Sequence, residues 1–148
     1  MSKNQFELKT GVIGLGVMGQ YHTKKLSTIS NLVRVFDIDE SLSSKTARLY
    51  DLQPCHDLDL FFQELDAVII AVPTRYHLEF AKLAANSEVH TFIEKPLASN
   101  FEECLQIKSF FNQKKLKIGL GHIERHNPVN LELVDILSKK SSGEILSM

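Results

Sequence analysis

Cysteine, net charge and long apolar runs are all scarce in these 148 residues, and each scarcity closes off a class of explanation. Only two cysteines occur, Cys55 and Cys104. They have no metal-ligand or redox spacing, so we expect free thiols in a reducing, cytoplasmic setting, with neither a disulfide framework nor a metal site. Lys plus Arg number 17 against 18 Asp plus Glu, a formal charge of −1. That balance makes no field to draw in nucleic acid or an anionic membrane. The longest apolar stretches, such as 67–73, fall far short of the ~20 residues a membrane helix needs. Residues 1–10 mix charged and amide side chains and are not expected to form a signal peptide or membrane anchor. Repeats, low-complexity tracts and linkers are also missing. The length suits one domain able to bury roughly two-thirds of its unfolded surface, with small neutral or anionic ligands left open.

What is present collects near the N-terminus. Residues 9–19 read Lys-Thr-Gly-Val-Ile-Gly-Leu-Gly-Val-Met-Gly, an apolar segment running into three glycines at G-x-G-x-x-G spacing, with a helical pattern behind them. In a dinucleotide cradle the first glycine permits a sharp turn and the second lets the backbone approach the pyrophosphate. The third lets helix and strand pack closely, with the helix N-terminus facing the anion. Gly14, Leu15, Gly16, Val17, Met18 and Gly19 are therefore candidate cofactor-binding residues. Ordinary turn glycines would give the same spacing, so the rest of the chain has to decide.

Hydrophobic periodicity along the chain alternates strand and helix. Strands are expected at 8–13, 32–36, 67–72, 89–93 and 116–120, with a further short one around 52–56. Helices are expected at 18–29, with Met18, Tyr21, Leu26 and Ile29 near one face, and at 39–50, 57–64, 75–86 and 100–113, with a last one from Pro128 to about residue 140. Asp57 is a plausible N-cap for the third of these, with Leu58, Phe61, Phe62 and Leu65 inward. Ser99-Asn100-Phe101-Glu102 has capping-box spacing. The continuous apolar run 67–72 suits a parallel strand covered on both faces. This alternation predicts an α/β fold, a Rossmann-type doubly wound parallel sheet in a single three-layer domain, whose ligands bind outside the carboxyl ends of the strands.

Polar residues gather at those ends. Asp37 closes the second strand, 18 residues after Gly19, near the interval expected of the acid that accepts from the adenosine ribose hydroxyls. A carboxylate there repels the extra phosphate of NADP, so NAD is expected over NADP; a solvated turn residue is the plainer alternative. Val72, Pro73 and Thr74 end the 67–72 strand, and the Thr74 hydroxyl can reach a ribose. His77 follows, either as part of that site or as a partly buried helix residue. Glu94, Lys95 and Pro96 end the next strand. The Lys-Pro bond is a candidate cis peptide. An ammonium held at a sheet end can orient a substrate hydroxyl and stabilise a developing alkoxide, although a lysine before proline is commonly a surface residue. After the last strand, His122, Arg125 and Asn127 are candidate substrate-lining residues. His122 and His126 have H-x-x-x-H spacing, but they fall on an expected loop with no third ligand marked, so no metal is expected.

Taken together, these residues resemble the Gfo/Idh/MocA oxidoreductases. The resemblance rests on the glycine motif of residues 12–19, Asp37, Ala-Val-Pro-Thr followed by His77, and Glu94-Lys95-Pro96 about 20 residues beyond Pro73. It covers about residues 9–128. It implies NAD(P)-dependent hydride transfer to or from a sugar, nucleotide-sugar or cyclitol hydroxyl, with Lys95 as the catalytic lysine beside the nicotinamide. The run 121–128, Gly-His-x-x-Arg-x-Asn-Pro, is similar to members that act on nucleotide sugars, although these more often carry an aromatic residue at the position of His126. The family also has a second α/β domain that supplies a catalytic histidine and the oligomer interface. On that basis residues 1–8 are read as a tail, 9–124 as the dinucleotide-binding domain and 125–148 as the start of a crossover into a missing domain. A homo-oligomer is expected only of a full-length form. The chain alone is expected to bind cofactor with little turnover; the alternative is a stand-alone or truncated nucleotide-binding or interaction module without catalysis.

Overall fold

The structure, a computed structural model, describes residues 8–139. Residues 1–7 of the expected tail and 140–148 of the expected crossover lie outside the described residues. In chain order the strands are β1 (Lys9–Ile13), β2 (Asn31–Phe36), β3 (Ala67–Ile70), β4 (His90–Ile93) and β5 (Ile118–Leu120). The helices are α1 (Val17–Ile29), α2 (Glu40–Leu49), α3 (Leu58–Phe62), α4 (His77–Asn86), α5 (Phe101–Gln113) and α6 (Pro128–Ser138). Short 3-10 turns cover Thr74–Tyr76 and Ile123–His126, the latter where a loop was expected.

The sheet order is β2-β1-β3-β4-β5 with every pairing parallel. Two apolar layers sandwich it. On one face Leu15, Leu32, Val35 and Ala47 gather with Leu26 and Leu42 beneath α1 and α2. On the other, Phe61, Phe62, Val68 and Ile70 pack with Ala81, Ala84, Ile107 and Phe111 of α4 and α5. This is the three-layer, doubly wound arrangement the alternation predicts. Fully buried side chains such as Phe111 and Ile107 each contribute about 1.5–3 kcal/mol relative to exposure.

Register decides where polar groups emerge. Ile13 pairs with Phe36 and with Ile70, Ile70 with Ile93, and Ile93 with Leu120. The strands therefore finish in one row, and the residues that follow it, Asp37, Gly14, Ala71, Glu94 and Gly121, stand side by side along the carboxyl edge.

Three local expectations are corrected. No strand forms at 52–56: Pro54 removes a ladder donor, and the segment instead lays Leu52 against the α2 side of the core and buries Cys55. Arg34 of β2 donates instead to the carbonyls of Phe61 and Gln63, which closes the end of α3. In α1 the inward face is made by Gly19 and Thr23 with Leu26, while Met18, Tyr21 and Ile29 are exposed. Small residues let that helix approach the sheet closely, so the larger ones were a poor guide to its buried side. The capping box of α5 is shifted by one residue. Asn100 accepts from the Glu103 N–H at 2.9 Å, and the Glu103 carboxylate accepts from the Ser99 N–H at 3.0 Å. Asp57 caps α3 as expected, accepting from the N–H groups of Asp59 and Leu60.

Candidate functional site

The turn from β1 into α1 is set by what cannot fit there. Gly14 has φ of +84°, and a Cβ at that position would lie 2.7 Å from the Ala71 carbonyl and the Val72 nitrogen. A Cβ on Gly19 would sit 1.7 Å from the Gly14 carbonyl oxygen. Only glycine satisfies both positions. Gly16 differs, because a Cβ there would meet nothing within 4 Å. It is the N-cap of α1, no side chain caps that helix, and its first N–H groups are left for an anion. The space over Gly16, at the uncapped start of α1, is therefore open.

Beside it lies a groove of about 930 Å³. Its lining brings together Gly14, Gly16, Val17, Met18, Asp37, Val72 and Pro73 from the expected set. Asp37 is half-buried; its carboxylate accepts from the Leu15 N–H at 2.7 Å and from the Asp39 N–H at 2.9 Å. Those bonds tie the end of β2 to the glycine loop and leave lone pairs on both oxygens for a diol. The distal wall is formed by residues not anticipated from the sequence: Ile38, Leu58, Arg75, Tyr76, Glu79 and Phe80. Ile38 is 94% exposed, and the Arg75 guanidinium lies 4.7 Å from the centre of the Tyr76 ring. An isoleucine next to the strand-end acid and an Arg-Tyr pair behind the proline turn were the available signals.

The other expected residues stand outside the groove lining. Leu15 and Gly19 are buried under the loop, and Thr74 opens the 3-10 turn after Pro73. His77 is buried, with Nε2 2.9 Å from the Val72 carbonyl and Nδ1 3.0 Å from that of Pro96. Its ring thus ties the turn after β3 to the turn after β4. The Lys95–Pro96 peptide is cis. Lys95 and Pro96 are exposed, whereas Glu94 is buried and its Oε1 lies 2.6 Å from Nε2 of His22, a residue sequence reasoning passed over. Beyond β5, His122 and Arg125 are exposed. Asn127 caps α6 by accepting from the Val129 N–H, and its amide donates to Glu124.

Among the described residues no helix is long and apolar enough to cross a membrane, and no group of three His, Cys, Asp or Glu side chains stands together as a metal site would require.

Comparison with known proteins places this geometry. The profile of an oxidoreductase family with an NAD-binding Rossmann fold, the Gfo/Idh/MocA family, matches residues 8–122. UDP-N-acetylglucosamine 3-dehydrogenase of Acidithiobacillus ferrooxidans is 34% identical over 121 residues, which cover 82% of this chain and 39% of that enzyme. Its solved structure superposes with a TM-score of 0.85 at 32% identity over 89% of this chain and 44% of the other. Inositol 2-dehydrogenase of Salmonella typhimurium is 29% identical over 93% of this chain and 43% of its own length. The fold is shared by scyllo-inositol dehydrogenase of Lactobacillus casei, solved with bound NAD(H) and scyllo-inositol, at a TM-score of 0.83 and 24% identity over 93% of this chain and 43% of that one. The chain thus spans well under half the length of the relatives it matches.

Proposed function

Because the chain belongs to the Gfo/Idh/MocA oxidoreductases, we propose that it is the cofactor-binding domain of a dehydrogenase that works on a hydroxyl of a sugar, nucleotide sugar or cyclitol. The observation that carries this reading is the pair of glycines that admit no side chain, Gly14 and Gly19, flanking one that faces open space, Gly16, at the uncapped start of α1. A bound nicotinamide supplies the hydride acceptor or donor. The protein's part is to hold the pyrophosphate on the α1 N–H groups and the adenosine ribose on Asp37. Lys95, on the same edge of the sheet, orients the substrate hydroxyl and stabilises negative charge on its oxygen as hydride leaves. His122 and Arg125, exposed beyond β5, form the near wall for substrate. NAD is preferred to NADP because Asp37 sets a carboxylate where the extra phosphate would lie. The free thiols of Cys55 and Cys104 fit a cytoplasmic setting.

Titration calorimetry with NADH and NADPH tests this reading. NADH is expected to bind at least ~10-fold more tightly, and Asp37→Ala to weaken NADH by ~10-fold or more while narrowing the gap, as befits loss of hydrogen bonds to a charged acceptor. Tighter binding of NADPH would reverse the cofactor assignment. Robust oxidation of a sugar by these 148 residues alone would overturn the reading as a cofactor domain. A second reading, a nucleotide-binding module that docks to a partner, is favoured by α6, which buries none of its residues. Nucleotide binding with no catalysis in any longer form of the protein would support it.

A further inference from the structure

We propose that His22 is a positioning residue that acts through Glu94 on Lys95. The idea rests on the dinucleotide-binding reading above and extends it to a residue that touches neither cofactor nor substrate. His22 stands three residues beyond Gly19 on α1, the helix whose start faces the groove. Its Nε2 and Glu94 Oε1 are 2.6 Å apart, and the two side chains are 18% and 8% exposed. Its ring is turned edge-on to Phe92 of β4 with centroids 5.6 Å apart, so its orientation is fixed by packing as well as by the carboxylate.

Glu94 is held on its other side too. The last sheet bond of β4 is that of the Glu94 N–H to the Ile70 carbonyl, at 3.0 Å. The next donor, the Lys95 N–H, goes to Oε2 of Glu94 itself at 3.1 Å. A Cβ on Gly121 would fall 2.9 Å from that same oxygen, so the glycine just after β5 leaves room for the carboxylate where it lies. One carboxylate therefore joins α1 to the end of β4, and it holds the backbone nitrogen from which Lys95 departs.

The consequence for Lys95 is twofold. Its main chain is fixed at the point where it leaves the sheet, so the ammonium sweeps a narrower arc. The adjacent carboxylate is also occupied by the imidazole and the peptide N–H instead of closing on the ammonium. Among the described residues Lys95 forms no salt bridge. A buried imidazole–carboxylate pair is a weak source of net stability, since desolvation offsets most of its attraction. Its place directly behind the working lysine suits geometry better than stability.

The test uses this chain with NADH and with ADP-ribose, which shares the pyrophosphate and adenosine but lacks the nicotinamide, alongside hydrogen exchange at the Lys95 amide. In His22→Leu, ADP-ribose affinity is expected to stay within ~2-fold while the preference for NADH over ADP-ribose falls by ~5-fold or more and Lys95 amide exchange quickens by ~10-fold. His22→Gln, whose amide can donate to Glu94, is expected to restore both. In a Lys95→Met background, His22→Leu should leave the preference unchanged, because residues that act as one unit do not add. The proposal is overturned if His22→Gln behaves like His22→Leu, if the preference changes equally with and without Lys95, or if both ligands weaken together as the melting temperature falls. If the parent chain binds neither ligand, the dinucleotide reading fails separately, and unchanged Lys95 amide exchange in His22→Leu would then overturn the proposal by itself.

Discussion

The carboxyl ends of β1 and β5 belong to one row of the sheet, yet they are finished by different means. At β1 the work is done by backbone: Gly14 and Gly19 are locked by contacts of 2.7 Å and 1.7 Å that a Cβ would have to make, and the helix starts without a side-chain cap. At β5 the chain passes through a 3-10 turn into α6, where Val129, Leu131, Leu133, Val134 and Ile136 are all exposed. The first region is complete within itself. The second presents an apolar helix face that gains nothing from its own domain. On the reading proposed above, the β1 end holds the nucleotide with its own backbone, whereas the exposed apolar side chains of α6 give the β5 end no such self-sufficiency.

The largest effect should come from adding a methyl group at the tightest point of the complete region. Gly19→Ala drives a Cβ into the Gly14 carbonyl and is expected to cost about 3 kcal/mol or more, lowering the melting temperature by roughly 10 °C in calorimetry. Gly16→Ala, two residues into the same motif, meets open space. It should melt within ~2 °C of the parent while NADH affinity falls by ~10-fold or more, since the methyl occupies the path of the phosphates. If the two substitutions behave alike, the separation of structural from ligand-facing glycines is broken.

The unfinished region predicts the opposite tolerance. Leu131 is 62% and Val134 66% exposed, so Leu131→Lys with Val134→Lys should change unfolding free energy by no more than ~0.5 kcal/mol each, measured by urea titration. A loss above ~2 kcal/mol would mean that α6 is packed in solution, and a parallel fall in mass by light scattering would identify a second copy as what it packs against.

This contrast also explains which features the sequence made legible. Gly14, Gly16, Gly19, Asp37 and Lys95 could be singled out because each is defined by short spacing or by its place just after an apolar run, and the parallel register turns such places into one edge. His22 and Glu94 are 72 residues apart, and only the placement of α1 beside β4 makes them partners. Spacing carries no trace of that. The shifted capping box shows a different loss: Ser99 and Asn100 can both cap, and Glu102 and Glu103 can both answer, so the pattern fits two registers and geometry selects Asn100 with Glu103. At 52–56 a short strand was expected although Leu-Gln-Pro-Cys-His marks one poorly, and Pro54 has no N–H to give to one. The doubly wound fold survived these slips because it rests on the whole alternation and not on any one boundary, and membership of the family because it rests on motifs at strand ends that none of the slips touched.

A small, pH-dependent effect lies just beyond the glycine loop, where Asp39 starts α2. Its carboxylate accepts from the Ser41 hydroxyl at 2.6 Å and from the N–H groups of Ser41 and Leu42. The bond from the Ser41 side chain, followed by that from the Leu42 backbone, holds its carboxyl below the usual value of 3.8. Folding therefore favours the ionised form, and its stabilising share is fully present above about pH 4, then lost as pH falls through the lower folded value. Asp39→Asn keeps an accepting oxygen without the charge. The denaturation midpoint of Asp39→Asn should trail the parent by only a few degrees near pH 7, and the gap should close below pH 4. Asp37, two residues earlier on the other side of that turn, holds the loop by its bond to Leu15. A gap that stayed constant from pH 7 to pH 3 would show that the charge on Asp39 is irrelevant to α2, and that the turn is kept in place from the Asp37 side.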